Sequence, residues 1–122
     1  MLAILDRYMQ ALGYAAPLLR GNGRHLLESA TGRPRAVAYY ADGDLIDQAA
    51  ALCNGIALNH PFIDGNKRAA FAACVAFLDA NNRRLPTTAL VPLARQIIAQ
   101  HEQTDRSKAD ATLADRLRAH LS

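Results

Sequence analysis

Tryptophan is absent from this chain of 122 residues, and aromatic residues make up only 6% of it. Alanine is abundant instead, and hydrophobic residues together reach 51%. An interior of small side chains with few large rings suits closely packed helices better than sheets. Cysteine is equally scarce. Cys53 and Cys74 are the only two, and their spacing fits no zinc or redox motif. Both fall inside apolar helical patterns, which predicts buried free thiols in a reducing cytosol. Long hydrophobic runs are also missing: the longest uninterrupted one, Ala69 to Leu78, is too short to cross a bilayer. Asp6 and Arg7 interrupt the N terminus before a signal peptide could form. The expectation is one soluble, cytoplasmic domain over residues 1–122. The net charge of +3 and the pI near 9.2 are mildly basic, but apart from Arg83-Arg84 and Lys67-Arg68 the cations are dispersed. Nucleic acid would call for a denser stripe, so the charge points to an anionic ligand or partner. Neither direct nucleic-acid binding nor a membrane is expected. The chain shows no internal repeat, paired carboxylates, Walker-type glycine loop, nucleophile elbow or zinc signature.

Apolar periodicity sets out the helices. Leu5, Tyr8, Met9 and Leu12 share a face of a first helix over 2–12, ended by Gly13. A loop with Pro17 and Gly21-Asn22-Gly23 leads to a short helix over 24–30, closed by Gly32 and Pro34. Residues 35–44 read differently. Val37, Tyr39 and Tyr40 favour extended backbone, and Asp42-Gly43 signals a turn, so a short strand or flap is expected there. Asp44 is a good N-cap for a helix over 45–59, whose apolar stripe, prolonged one turn, places His60 toward the core. Pro61 breaks that helix, and Asn66 is a candidate N-cap for the next, running to Asp79. From Ala69 to Leu78 that helix is apolar on every face, the mark of a buried interior helix. Helices over 89–100, with Leu90, Leu93, Ile97 and Ile98 inward, and over 109–121 complete an all-α reading of five or six helices around one buried central helix.

The segment that carries chemistry is His60-Pro61-Phe62-Ile63-Asp64-Gly65-Asn66-Lys67-Arg68, where a loop enters the buried helix. The first N–H groups of a helix lack internal partners and sit at its positive end, which makes an anion site. Gly65 lets the backbone come close to a ligand at positive φ. Lys67 and Arg68 break a local rule, since cations at a helix N terminus cost the helix about 0.3–1 kcal/mol each. A bound phosphate chain would turn that repulsion into attraction, gripped by the arginine fork and the lysine charge. His60 can act as general base near neutral pH. Asp64 can hold Mg²⁺ against phosphates. Phe62 reads as a buried anchor of the loop. Each residue alone also fits a plain structural role. Together, at the mouth of a buried helix, they point to a phosphate-binding, histidine-assisted transferase.

These nine residues resemble the signature of the Fic/Doc (death-on-curing) family. The stretch His25-Leu26-Leu27-Glu28-Ser29-Ala30 and the helix end Leu78-Asp79-Ala80-Asn81 resemble Doc-type members, and the likeness is strongest over 26–85. The resemblance implies an all-helical core and a site for ATP with Mg²⁺. It assigns His60 as catalytic base and Asp64 as metal-linked acid. Gly65 and Asn66 become the phosphate-holding turn, continued by Lys67 and Arg68. Val37, Ala38, Tyr39 and Tyr40 match the position of the flap that receives the target strand. Fic-type members, which transfer AMP to a protein hydroxyl, have Gly where this chain has Lys67 and a second Arg where it has Phe71. Doc-type toxins carry the Lys, lack the second Arg, and move the terminal phosphate of ATP onto a translation elongation factor. Lys67 and Phe71 thus favour the kinase branch, whereas Gly65 is Fic-like. The inhibitory helix of many members has Ser or Thr four residues before Glu. Glu28 and Glu102 have Arg24 and Ile98 there instead. The resemblance therefore implies control by a separate antitoxin whose tail folds on binding. A helical interaction or nucleic-acid-binding module without catalysis is the alternative of another class. Against it, a recognition helix should expose a polar face, and Ala69 to Leu78 has none.

Overall fold

The computed structural model describes residues 2–100 and 106–121 of the chain. In order they form α1 (Leu2–Ala11), α2 (Gly23–Thr31), α3 (Arg33–Tyr40), α4 (Leu45–Asn59), α5 (Asn66–Ala80), a 3₁₀ turn (Thr87–Ala89), α6 (Leu90–Gln100) and α7 (Arg106–Leu121). The architecture is all-α, as expected. The helix α5 is buried along Ala69–Ala76 and at Leu78. It shares the centre with α4, which packs on α2, α3, α5 and α7, while α5 also meets α1 and α6.

Small residues let these helices approach. Ala49, Ala50, Ala69, Ala70 and Ala72 are fully buried. A Cβ at Gly55 would stand 3.0 Å from Arg33 Cδ and 3.3 Å from Ala30 Cβ, so this glycine admits α2 and the start of α3 against α4. Phe71, Leu78, Leu93, Leu113 and Leu117 fill the remaining space, each contributing about 1.5–3 kcal/mol by burial. Cys53 and Cys74 are buried and free, as expected. A hydrogen bond with Cys74, and then burial, push the Cys53 thiol well above its ordinary value, which keeps it inert as a nucleophile.

Polar contacts fix the outer helices. Asp44 caps α4 as expected: its carboxylate accepts from Asp47 N–H at 2.9 Å, and its own N–H donates to Asp47 Oδ2 at 3.1 Å. Arg118 of α7 reaches both carboxylates, at 3.0 and 2.9 Å. Farther along α4, Asp110 of α7 accepts from Arg33 at 2.7 Å and from Asn54 at 2.8 Å, and Arg33 also donates to the Ala51 carbonyl.

The structure corrects the expected flap. Val37, Ala38, Tyr39 and Tyr40 are helical, in α3. Pro34, read as closing the preceding helix, instead occupies the first turn of α3, where its missing N–H is no loss. A lone ribbon would be marginal, whereas a helix satisfies its own backbone and is anchored by Arg33. The β-preference of Val37 and the tyrosines yields to this. Val37 accepts from Ala41 and Gly43 through its carbonyl and packs on Gly43, while Tyr39 and Tyr40 stand exposed. Asp42 lies in the left-handed region at φ 56 and ends α3, with the Gly43 N–H on the Val37 carbonyl at 3.1 Å. No side chain of Thr87 or Thr88 caps the following helix turn. The inward placement expected for Ile98, and Glu102 with its offset test, lie outside what the structure describes.

Candidate functional site

The motif loop joins the C terminus of α4 to the N terminus of α5. His60 is the C-cap of α4 and lies in the left-handed region, at φ 52 and ψ 56. The helix reversal at this residue overturns the expectation that His60 follows the core stripe. It leaves the helical path and is exposed. A non-glycine residue held there is strained. The strain is offset by the loop behind it, where Pro61 and Phe62 are buried, Phe62 completely so, as expected of an anchor.

Asn66 does not cap α5. It is the first residue of the helix, with Gly65 at the N-cap position at φ 76. Its side chain turns back instead. Oδ1 accepts from Phe62 N–H at 2.9 Å, and Nδ2 donates to the Phe62 carbonyl at 3.0 Å. The carboxamide thus imitates a paired strand and locks the turn. No side chain caps α5, and its ladder begins with Ala69 N–H on the Gly65 carbonyl. The N–H groups of Asn66, Lys67 and Arg68 therefore stay free of intrahelical partners. Asp64 accepts from Gly65 N–H through Oδ1, leaving Oδ2 available.

His60, Ile63, Asp64, Gly65, Asn66, Lys67 and Arg68 line one open cleft of about 420 Å³. The structure thus brings together the residues expected to hold phosphate with the expected base and acid. Lys67 and Arg68 have no carboxylate partner among the described residues. The positive end of α5 and two cations outweigh the single carboxylate of Asp64 in the cleft, an arrangement suited to a polyanion. Val37, Ala38, Tyr39 and Tyr40 do not line this cleft.

A segment read only as loop backs the motif. Leu19 pairs antiparallel with Phe62, with Ile63 N–H on the Leu18 carbonyl at 2.8 Å and Arg20 N–H on the Pro61 carbonyl at 3.1 Å. In that register the N–H and C=O of Leu19 point away from Phe62, and they have no partner among the described residues. Gly23 lies so close that a Cβ there would run into the Pro61 carbonyl oxygen. Asn59 ties α4 to the Leu26 carbonyl at 3.1 Å. Gly21-Asn22-Gly23 was a turn signal in the sequence. The pairing itself joins residues too far apart for periodicity to find.

Comparison with known proteins agrees with this geometry. A model of the Fic/DOC family matches residues 1–78. A curated protein named Toxin Doc, from Mycolicibacterium smegmatis (strain ATCC 700084 / mc(2)155), is 47% identical over 62 residues. That match covers 49% of this chain and 48% of the relative, so the likeness extends over about half the length of each. No solved structure matches. Among the described residues, no helix is long and apolar enough to cross a membrane. With a family match that runs from the first residue through the motif cleft to Leu78, the last buried residue of α5, the chain belongs to the Fic/DOC family.

Proposed function

We propose that this chain is a Doc-type toxin that transfers the γ-phosphate of ATP to a hydroxyl of a target protein, with a translation elongation factor as target and a separate antitoxin as its control. The observation that carries the reading is a single cleft holding His60 beside the uncapped start of α5, with Lys67 at the position that separates the branches. Phe71 supports the same branch: it stands where Fic-type members carry a second arginine, and it is 2% exposed, inside the core. The relative named Toxin Doc supports the toxin assignment.

In this reading the free N–H groups of residues 66–68 and the cations of Lys67 and Arg68 bind the phosphate chain. Asn66 contributes its backbone, because its side chain is committed to Phe62. His60 takes the proton of the target hydroxyl, the oxygen attacks the γ-phosphorus, the bond to the β-phosphate oxygen breaks, and ADP leaves. Among the described residues no cluster of three or more metal-ligating side chains exists. The single carboxylate of Asp64 still fits Mg²⁺, which takes few protein ligands when phosphate oxygens supply the rest. Bound there, Mg²⁺ would neutralise charge developing on the phosphates. With Val37–Tyr40 helical, the unpaired backbone of Leu19 is the place where an extended target segment would pair.

AMP transfer remains the second reading, favoured by Gly65. The experiment is label transfer with purified protein, Mg²⁺ and a bacterial lysate, using ATP labelled in parallel at the γ- and α-phosphate, with His60→Ala as blank. A band labelled from the γ position alone and absent with His60→Ala is expected. A band labelled from the α position would replace the kinase with an AMP transferase. No band from either label would move the weight to a non-catalytic module.

A further inference from the structure

Gly13 ends α1 at φ 82. The Tyr14 N–H then returns to the Met9 carbonyl at 2.8 Å, and the Gly13 N–H to Gln10 at 3.0 Å, a helix ending that a left-handed glycine permits. The reversal brings the half-buried Tyr14 ring against the first turn of α5. There the Arg68 guanidinium carbon stands 5.5 Å from the ring centroid. The Tyr14 hydroxyl has no hydrogen-bond partner among the described residues, and the contact with Arg68 is made by the ring. Arg68 stands on a wall shared by the motif cleft and a smaller cavity of about 200 Å³ lined by Met9 and residues 15–18.

We infer that Tyr14 is a positioning residue: its ring holds the Arg68 guanidinium at the mouth of the motif cleft before an anion arrives. The inference rests on the nucleotide site proposed above. An arginine in an exposed first turn samples many rotamers, and binding must freeze them. Standing over the ring narrows that freedom in advance. The guanidinium makes no hydrogen bond or ion pair among the described residues, so its N–H groups stay available to phosphate oxygens. A contact of this kind at a partly exposed site changes affinity by about two- to fivefold.

The test is calorimetric titration of the full chain with ATP and with inorganic tripolyphosphate. The proteins compared are wild type, Tyr14→Leu, Tyr14→Phe, Arg68→Ala and the double variant Tyr14→Leu/Arg68→Ala. Tyr14→Leu is expected to weaken both ligands by about two- to fivefold, and Tyr14→Phe, which keeps the ring, to stay within about twofold of wild type. Once Arg68 is alanine, Tyr14→Leu should cause no further loss, because the two residues act through one contact. Additive losses in the double variant, or wild-type affinity in Tyr14→Leu, would overturn the inference and leave the nucleotide site standing. A wild-type chain that binds neither ligand would overturn the site and this inference with it.

Discussion

Substituting Gly23 by alanine separates local propensity from tertiary contact, because the two predict opposite signs. Gly23 opens α2 and its φ is not positive. Helix propensity alone therefore predicts a gain of up to about 1 kcal/mol. The contacts predict a loss. The new Cβ would run into the Pro61 carbonyl oxygen and stand 3.0 and 3.2 Å from Leu19 Cδ2 and Cβ. Backbone cannot swing aside as a side chain can. If Pro61 retreats, it gives up the bond from Arg20 N–H, about 1 kcal/mol. Overpacking adds about 1–3 kcal/mol. Set against the propensity gain, the net effect is a destabilisation of about 1–3 kcal/mol, or roughly 3–6 °C in Tm per kcal/mol for a chain of this size. Urea unfolding followed by the helical circular-dichroism signal measures it. Gly21→Ala is the control, since nothing lies within 4 Å of a Cβ there. Because Pro61 follows His60, label transfer should fall in the same variant even where the protein remains folded. A Gly23→Ala chain as stable as wild type, or more so, would refute the claim that this close approach holds the motif loop.

Two further outcomes follow from the geometry. His60→Gly should raise stability by about 0.5–1 kcal/mol, by relieving the left-handed backbone, while abolishing label transfer. A less stable or still active variant would contradict the reading of a strained functional residue. The Asp44 carboxyl is held below its ordinary value of 3.8, chiefly by the hydrogen bond from Asp47 N–H, then by Arg118. A depressed carboxylate contributes stability that is present above its unfolded value and lost as pH falls through its folded one. Thermal melts should therefore show an acid-sensitive component that sets in below about pH 4 and is diminished in Asp44→Asn. An identical acid profile in that variant would remove Asp44 from the account.

Much of the helix frame was legible because its causes are local. Asp44 at a helix start, Gly13 at a helix end and an all-apolar run at 69–78 each act through neighbours in the chain. The span 45–59 emerged as expected for that reason. The flap did not, because Val37, Tyr39 and Tyr40 carry β-preference while the helical state of α3 is anchored from afar, by Arg33 on Asp110 and Ala51. His60 shows the limit of periodicity: a stripe extended by one turn places it in the core, yet a single left-handed residue turns the chain outward.

By itself the sequence determined the helical class, the buried helix, and the set of residues that come together in the motif cleft. They are contiguous, and the start of any helix offers free N–H groups. Tertiary structure alone decided how that loop is held. The Asn66 carboxamide braces Phe62, Leu19 pairs with Phe62 across the chain, Gly23 abuts Pro61, and the Arg68 guanidinium stands over the Tyr14 ring. Except for the brace of Asn66, these contacts join residues that are distant in sequence and meet only after the helices pack. No local propensity or spacing encodes them one residue at a time.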